Sequence, residues 1–173
     1  MSEQNNQTQT FVYAAYIKTT PEKLWQALTD GNFSEKYWFG FHISSDWKVG
    51  SPVYIRNSEF LEGKANIEGK VLACDPPRRL TYTFGSGASD PLASQRKAPT
   101  QVTYEITPVG SMVKFTLTHE NLLAQDQDKN LNTLKGVNNG WPAIVSNLKS
   151  LLETGQTMNF ETLLAEFKPQ PVK

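Results

Sequence analysis

Apolar residues return at every second position along several stretches of the chain, the pattern of strands with one buried face. Leu80, Tyr82 and Phe84 alternate with Thr81 and Thr83, and Val102, Tyr104 and Ile106 alternate with Thr103 and Glu105. Val113, Phe115, Leu117 and His119 alternate with Lys114, Thr116 and Thr118. The short Pro108-Val109-Gly110-Ser111 turn between the last two runs predicts an antiparallel hairpin. Further strands are predicted at 10–18, 42–47, 52–57 and 65–74, the last with Ile67, Gly69, Val71 and Ala73 on one face.

The period changes to helical in two regions. Thr20 followed by Pro21 is an N-cap and first-turn pair, and Leu24, Trp25 and Leu28 form a stripe that Gly31 should terminate. A second short helix is predicted over 33–38. Near the C-terminus, Trp141, Ile144, Val145, Leu148, Leu151 and Leu152 make the strongest amphipathic stripe in the chain. It predicts a long helix over 141–153, closed by Gly155. A short tail helix carrying Phe160, Leu163, Leu164 and Phe167 should end at Pro169. The Pro-Pro turn at 76–77 breaks the ladder between two strands. Gly85 to Pro99, rich in small residues, reads as a long loop, either a mobile lid or an edge excursion.

This order predicts an α+β fold: a curved antiparallel sheet of about six to seven strands around a long C-terminal helix, with two short helices after the first strand. A chain of 173 residues fits one domain, here 10–168, after a polar N-terminal tail at 1–9.

Charge and cysteine content narrow the function classes. Lys plus Arg equals Asp plus Glu at 17 each, with no basic block, so no nucleic-acid partner is expected. No apolar run is long enough to insert into a bilayer. The polar N-terminus lacks a signal-peptide core, and the single cysteine, Cys74, implies no intrachain disulfide, so a cytoplasmic location is expected. Two histidines and one cysteine without ligand spacing give no metal site, and no cofactor motif is present. Cys74 reads as an inert strand cysteine.

Four strings resemble a known family: TTPEKLWQALTD (19–30), GKVLACDPPRRLTYTF (69–84), VTYEITPVGSMVKFTLTHENL (102–122) and GWPAIVSNLKSLLETG (140–155). Together with the element order they resemble the SRPBCC or START-like superfamily. Within it the match is to the group named after the activator of the heat-shock protein 90 ATPase, in its C-terminal-domain form. The resemblance implies the helix-grip fold. It implies function far less, because members include lipid and sterol carriers, cyclases and co-chaperones. The eukaryotic-type co-chaperone also has a separate N-terminal domain that contacts the chaperone, for which this length leaves no room.

A helix-grip sheet is too curved for the helix to fill its concave side, so some of the many aromatics should line an apolar pocket. The candidate wall is Trp38, Phe41, Phe60, Tyr82, Phe84, Tyr104, Phe115, His119 and Trp141. Packed core is the plain alternative for each aromatic. Strand parity puts His119 on the helix side with Phe115 and Leu117. It reads either as a ligand-bonding or general-base group, or as a strand-end histidine bonded to backbone.

No catalytic set stands out. The expected partner is a small hydrophobic or amphipathic molecule, such as a lipid, an aromatic or a polyketide-like compound. The alternatives are a cyclase- or hydrolase-type enzyme with a cavity His or Tyr as acid/base, and a co-chaperone in contact with the heat-shock protein 90 ATPase.

Overall fold

The computed structural model describes residues 7–57, 67–85 and 90–167. Its centre is one seven-stranded antiparallel sheet. In chain order the strands are β1 (Gln9–Ile17), β2 (His42–Ser44), β3 (Pro52–Arg56), β4 (Ile67–Asp75), β5 (Arg79–Thr83), β6 (Gln101–Val109) and β7 (Met112–Leu122). The spatial order is β1-β7-β6-β5-β4-β3-β2, so every neighbour after the β1–β7 pair is also a sequence neighbour. Helices α1 (Pro21–Thr29) and α2 (Gly31–Tyr37) follow β1, and α3 (Val137–Thr154) and α4 (Glu161–Leu164) follow the sheet.

The alternating runs became the strands they predict. Tyr82 pairs with Val102 and Tyr104 with Leu117, and these inward residues are buried. The β6–β7 ladder continues through Pro108 to a Val109–Met112 pair, so the turn is tighter than the four residues expected. The β4 alternation fails after Val71, where a register shift lets Cys74 rather than Ala73 pack on the core. The first two residues expected in this strand, 65–66, lie outside the described residues, as does Pro169. Only His42–Ser44 of the predicted 42–47 strand pairs. Trp47 instead takes a φ of 56° and donates its indole N–H to the Thr29 carbonyl at 3.0 Å.

Gly31 is not the helix terminator that its position suggested. Asp30 ends α1 and caps α2, accepting from the Asn32 N–H at 2.9 Å, and Gly31 opens α2. The His42 ring lies over it so closely that a Cβ at this position would come within 2.3 Å of the ring and displace it. Gly155 does close α3, at φ 77°, with its N–H on the Leu151 carbonyl.

Helix α3 starts four residues before Trp141, through Asn138-Asn139-Gly140. Asn138 donates to the Asp128 carbonyl, and Asn139 to the Asn130 and Lys135 carbonyls, so these side chains bind the incoming loop instead of breaking the helix. The buried stripe of α3, Trp141, Val145 and Leu148, packs with Ile17, Leu24, Phe115 and Leu117 in one core. Lys149 Nζ donates to the Tyr16 carbonyl at 2.7 Å, and the Lys18 N–H donates to Glu153 Oε1 at 2.8 Å. Helix α3 is thereby tied to the C-terminal end of β1.

Candidate functional site

The concave side of the sheet carries two joined groups of rings. Tyr82, Tyr104 and Phe115 form the inner group. The Tyr82 and Tyr104 hydroxyls bond each other at 2.8 Å, and Phe115 lies 5.5 Å from Tyr104. Burial raises the pKa of both phenols, so they stay neutral across the physiological range.

The second group is nearer the end of the barrel. Trp38 lies 5.3 Å from Trp141, 6.4 Å from Phe41 and 6.3 Å from Phe84, to whose ring it is parallel within 2°. His119 sits 5.3 Å from Phe84 and 5.9 Å from Trp141. Tyr82, 6.5 Å from Phe84, links the two groups. Eight of the nine residues predicted as cavity wall thus belong to one continuous ring network. Phe60 lies outside the described residues.

His119 is 2% exposed. The Trp141 indole N–H donates to its Nδ1 at 3.0 Å, so its partner is a side chain on α3 rather than backbone. The phenols, which could have served as its acid/base partner, bond each other. Burial pushes the imidazole pKa down to about 4, with Asp126 pulling it up and Arg96 pushing it down. The ring is neutral at pH 7.

Those two charged residues form a buried clamp beside it. Arg96 reaches Asp126 with two nitrogens at 2.5 and 2.6 Å, and Asp90 through Nε at 2.6 Å. Asp126 also accepts from the Leu123 N–H, and the Asn121 side chain donates to the Pro99 carbonyl. The described part of the loop after β5 is therefore tied to the end of β7. Burial is the largest single influence and raises the Asp126 pKa, but the Arg96 hydrogen bonds, the Leu123 N–H and the Arg96 charge together outweigh it and hold the carboxyl below its usual range.

Space is distributed unevenly. Between α3 and the sheet, beside Tyr104 and Phe115, only about 10 Å³ is left, about the room one water needs. Side chains fill the centre of the grip. An apolar space of about 320 Å³ opens at its end, between α3, the α2–β2 turn and the C-terminal segment. Its wall is Trp38, Phe39, Phe41, Leu134, Gly140, Ile144, Leu164 and Phe167. A groove of this size and apolar character is at the lower end of small-molecule sites.

Two of the predicted wall residues, Trp38 and Phe41, border this groove, and the other described ones lie behind Trp38. The wall expected from the sequence did not include Phe39, Leu134, Ile144, Leu164 or Phe167. Phe39 faces the groove because it takes a φ of 51° between α2 and β2. The apolar spacing of Ile144 and of the tail residues was visible, but not which segment they would meet. The tail is anchored by Asn147, which donates to the Tyr37 carbonyl and accepts from the Met158 N–H at 2.6 Å. Thr133 Oγ1, which donates to Glu166 at 2.5 Å, holds its far end.

Among the described residues no cluster of three or more His, Cys, Asp or Glu could hold a metal ion. No helix among them is long and apolar enough to cross a membrane.

A curled antiparallel sheet with an apolar groove at the end of its long helix defines the helix-grip, START-like class. Within that class the chain belongs to the family of activator of Hsp90 ATPase homolog 1-like proteins, whose profile matches residues 18–153. No curated protein matches the sequence. Among solved structures, protein MLL2253 from Mesorhizobium loti is similar at 26% identity and TM-score 0.63, over 83% of this chain and 96% of that one. An Aha1 dimer from Colwellia psychrerythraea is similar at 22% identity and TM-score 0.63, over 85% and 98%. An HSP90 activator from Plasmodium falciparum is similar at 23% identity and TM-score 0.60, over 83% and 95%. The last two likenesses concern the fold.

Proposed function

We propose that this protein is a binding module for a small hydrophobic or amphipathic molecule, held in the groove between α3 and the C-terminal segment. The observation that carries the reading is the groove itself: about 320 Å³ of apolar space whose inner wall, Trp38, is continuous with the ring network. Aromatic walls offer large contact area at low conformational cost. The tail residues Leu164 and Phe167 cover the groove from one side, as a closing segment would. A single domain in the cytoplasm accords with this role.

The test is a thermal-shift screen of the purified protein against fatty acids, sterols, aromatic metabolites and polyketide-like compounds, followed by native mass spectrometry of the hits. Stabilisation by at least one class, abolished by Ile144→Arg, is the expected result. No shift from any class would count against the reading.

The family description and the Plasmodium falciparum HSP90 activator favour a second reading, a contact with a heat-shock ATPase. It predicts that the purified chain raises the ATPase rate of the chaperone from its own host. An unchanged rate and no pull-down would remove it.

A further inference from the structure

The outer wall of the groove is supplied by the C-terminal segment. Leu164 and Phe167, which line it, lie beyond residues 18–153, the part of the chain that matches the family profile. They belong to a stretch, 156–167, in which no residue is buried: Phe160, Leu163 and Leu164 are half-buried and the rest are exposed. Its regular structure is one turn of helix, α4, continued by a tighter turn at Ala165–Phe167. A helix this short has no stability of its own, so the stretch keeps its place only through what it touches. Segments with few buried contacts open at a small fraction of the free energy of global unfolding.

Those contacts are unequal at the two ends. At the near end the Asn147 side chain is 2% exposed; it accepts from the Met158 N–H and donates to the Tyr37 carbonyl. The Ser150 hydroxyl donates to the Gln156 carbonyl at 2.7 Å. Asn147 and Ser150 stand on α3, which is packed into the core, so this end is fixed. At the far end, Glu166 Oε1 accepts from the Thr133 hydroxyl at 2.5 Å and from the Leu134 N–H at 3.2 Å. Glu166 is exposed, and water competes for both bonds. Phe167 beside it is 38% exposed, with Lys135 Nζ 6.0 Å from its ring centre. Between the two ends, Phe160 meets Phe39 edge-on at 5.3 Å and Leu164 borders the groove.

We infer that residues 159–167 are a strap that gates the groove. Glu166 releases Thr133 and Leu134, the strap swings about the Asn147–Met158 bond, and Leu164 and Phe167 leave the groove wall. The apolar molecule enters while the strap is lifted and is held when it closes. Trp38, Phe39 and Phe41 on the α2–β2 turn and Ile144 on α3 form the wall that stays in place. This rests on the binding reading above and adds control of entry to it.

Amide hydrogen exchange on the full chain, resolved by NMR, measures the strap without any ligand. The Leu163 and Leu164 N–H groups both bond the Phe160 carbonyl. In the wild-type protein they should exchange about a hundredfold or more faster than those of Val145 and Leu148 in α3. Glu166→Ala removes the latch at an exposed position and leaves the core untouched. It should speed exchange at Leu163 and Leu164 about three- to tenfold, with α3 unchanged. Glu166→Gln keeps the acceptor oxygen and should fall between. Entry is read by stopped-flow fluorescence with N-phenyl-1-naphthylamine, an uncharged apolar probe. Its association rate should rise in Glu166→Ala by the same factor as the exchange. Unchanged exchange in Glu166→Ala would overturn the latch. Faster exchange with an unchanged association rate would overturn the gate while leaving the binding reading standing. No probe association that Ile144→Arg abolishes would overturn the binding reading and the gate with it.

Discussion

The Trp141 indole N–H donates to His119 Nδ1 at 3.0 Å, joining the long helix to the end of β7 inside the aromatic cluster. This bond fixes which imidazole nitrogen is protonated, and it keeps the ring neutral in a place where a charge would be costly.

Acid stability follows from that placement. His119 has a folded pKa of about 4 against an ordinary 6.5, so between these values the unfolded chain binds more protons than the folded one. The stability it contributes is complete above pH 6.5 and is lost as pH falls through 4. The gap corresponds to roughly 3 kcal/mol. Urea midpoints between pH 7.5 and 4 should therefore fall in the wild-type chain, and His119→Phe should flatten that fall. A parallel profile in the variant would contradict the assignment.

The Arg96 clamp should be costly to break from one side. Its guanidinium side chain is 5% exposed, and removing it leaves Asp90 and Asp126 facing each other out of water. Arg96→Met is expected to lose about 3–5 kcal/mol in chemical denaturation. It should also speed limited proteolysis within 85–99, because the loop loses its main tie to β7. Unchanged cleavage there would show that other contacts hold the loop.

Phe115 tests whether the centre of the grip is packed or open. It is 1% exposed and borders a space of only about 10 Å³. Phe115→Ala should cost about 3–5 kcal/mol, measured as a lower urea midpoint with unchanged slope. A loss under about 1 kcal/mol would mean that this end of the interior is loosely filled.

Gly69 marks a close approach within the sheet. A Cβ there would lie 1.8 Å from the Thr83 carbonyl oxygen. Gly69→Ala should therefore separate β4 from β5 locally and lower the melting temperature by several degrees, with an increase in amide exchange at Lys70, whose N–H bonds Thr83 Oγ1.

The sheet was legible in the chain because a half-buried strand writes its geometry as period two. Leu80, Tyr82, Val102, Tyr104 and Phe115 were placed on the inner face by parity, and all are buried there. The ends of elements were less legible. Asn138 and Asn139 look like breakers until the loop carbonyls they bind are known, and Gly31 looks like a stop until His42 is folded over it. The groove was the least legible part. Its walls come from segments far apart in sequence: Phe39 in a left-handed turn, Leu134 in an irregular loop, and Phe167 in the tail. No local period connects them. Trp38, Phe84, His119 and Trp141 were expected as pocket wall; of these Trp38 borders the groove, and the others pack with it as a ring network behind it.

The central claim is that a small apolar molecule occupies the groove. The most direct measurement is an amide-resolved NMR titration of the full chain with a hit from the lipophilic screen. The account predicts saturable shifts concentrated at Phe39, Phe41, Leu134, Ile144 and Leu164, with the outer faces of β1 and β4 unmoved. Shifts confined to those outer faces, or no saturable shift with any compound, would contradict it.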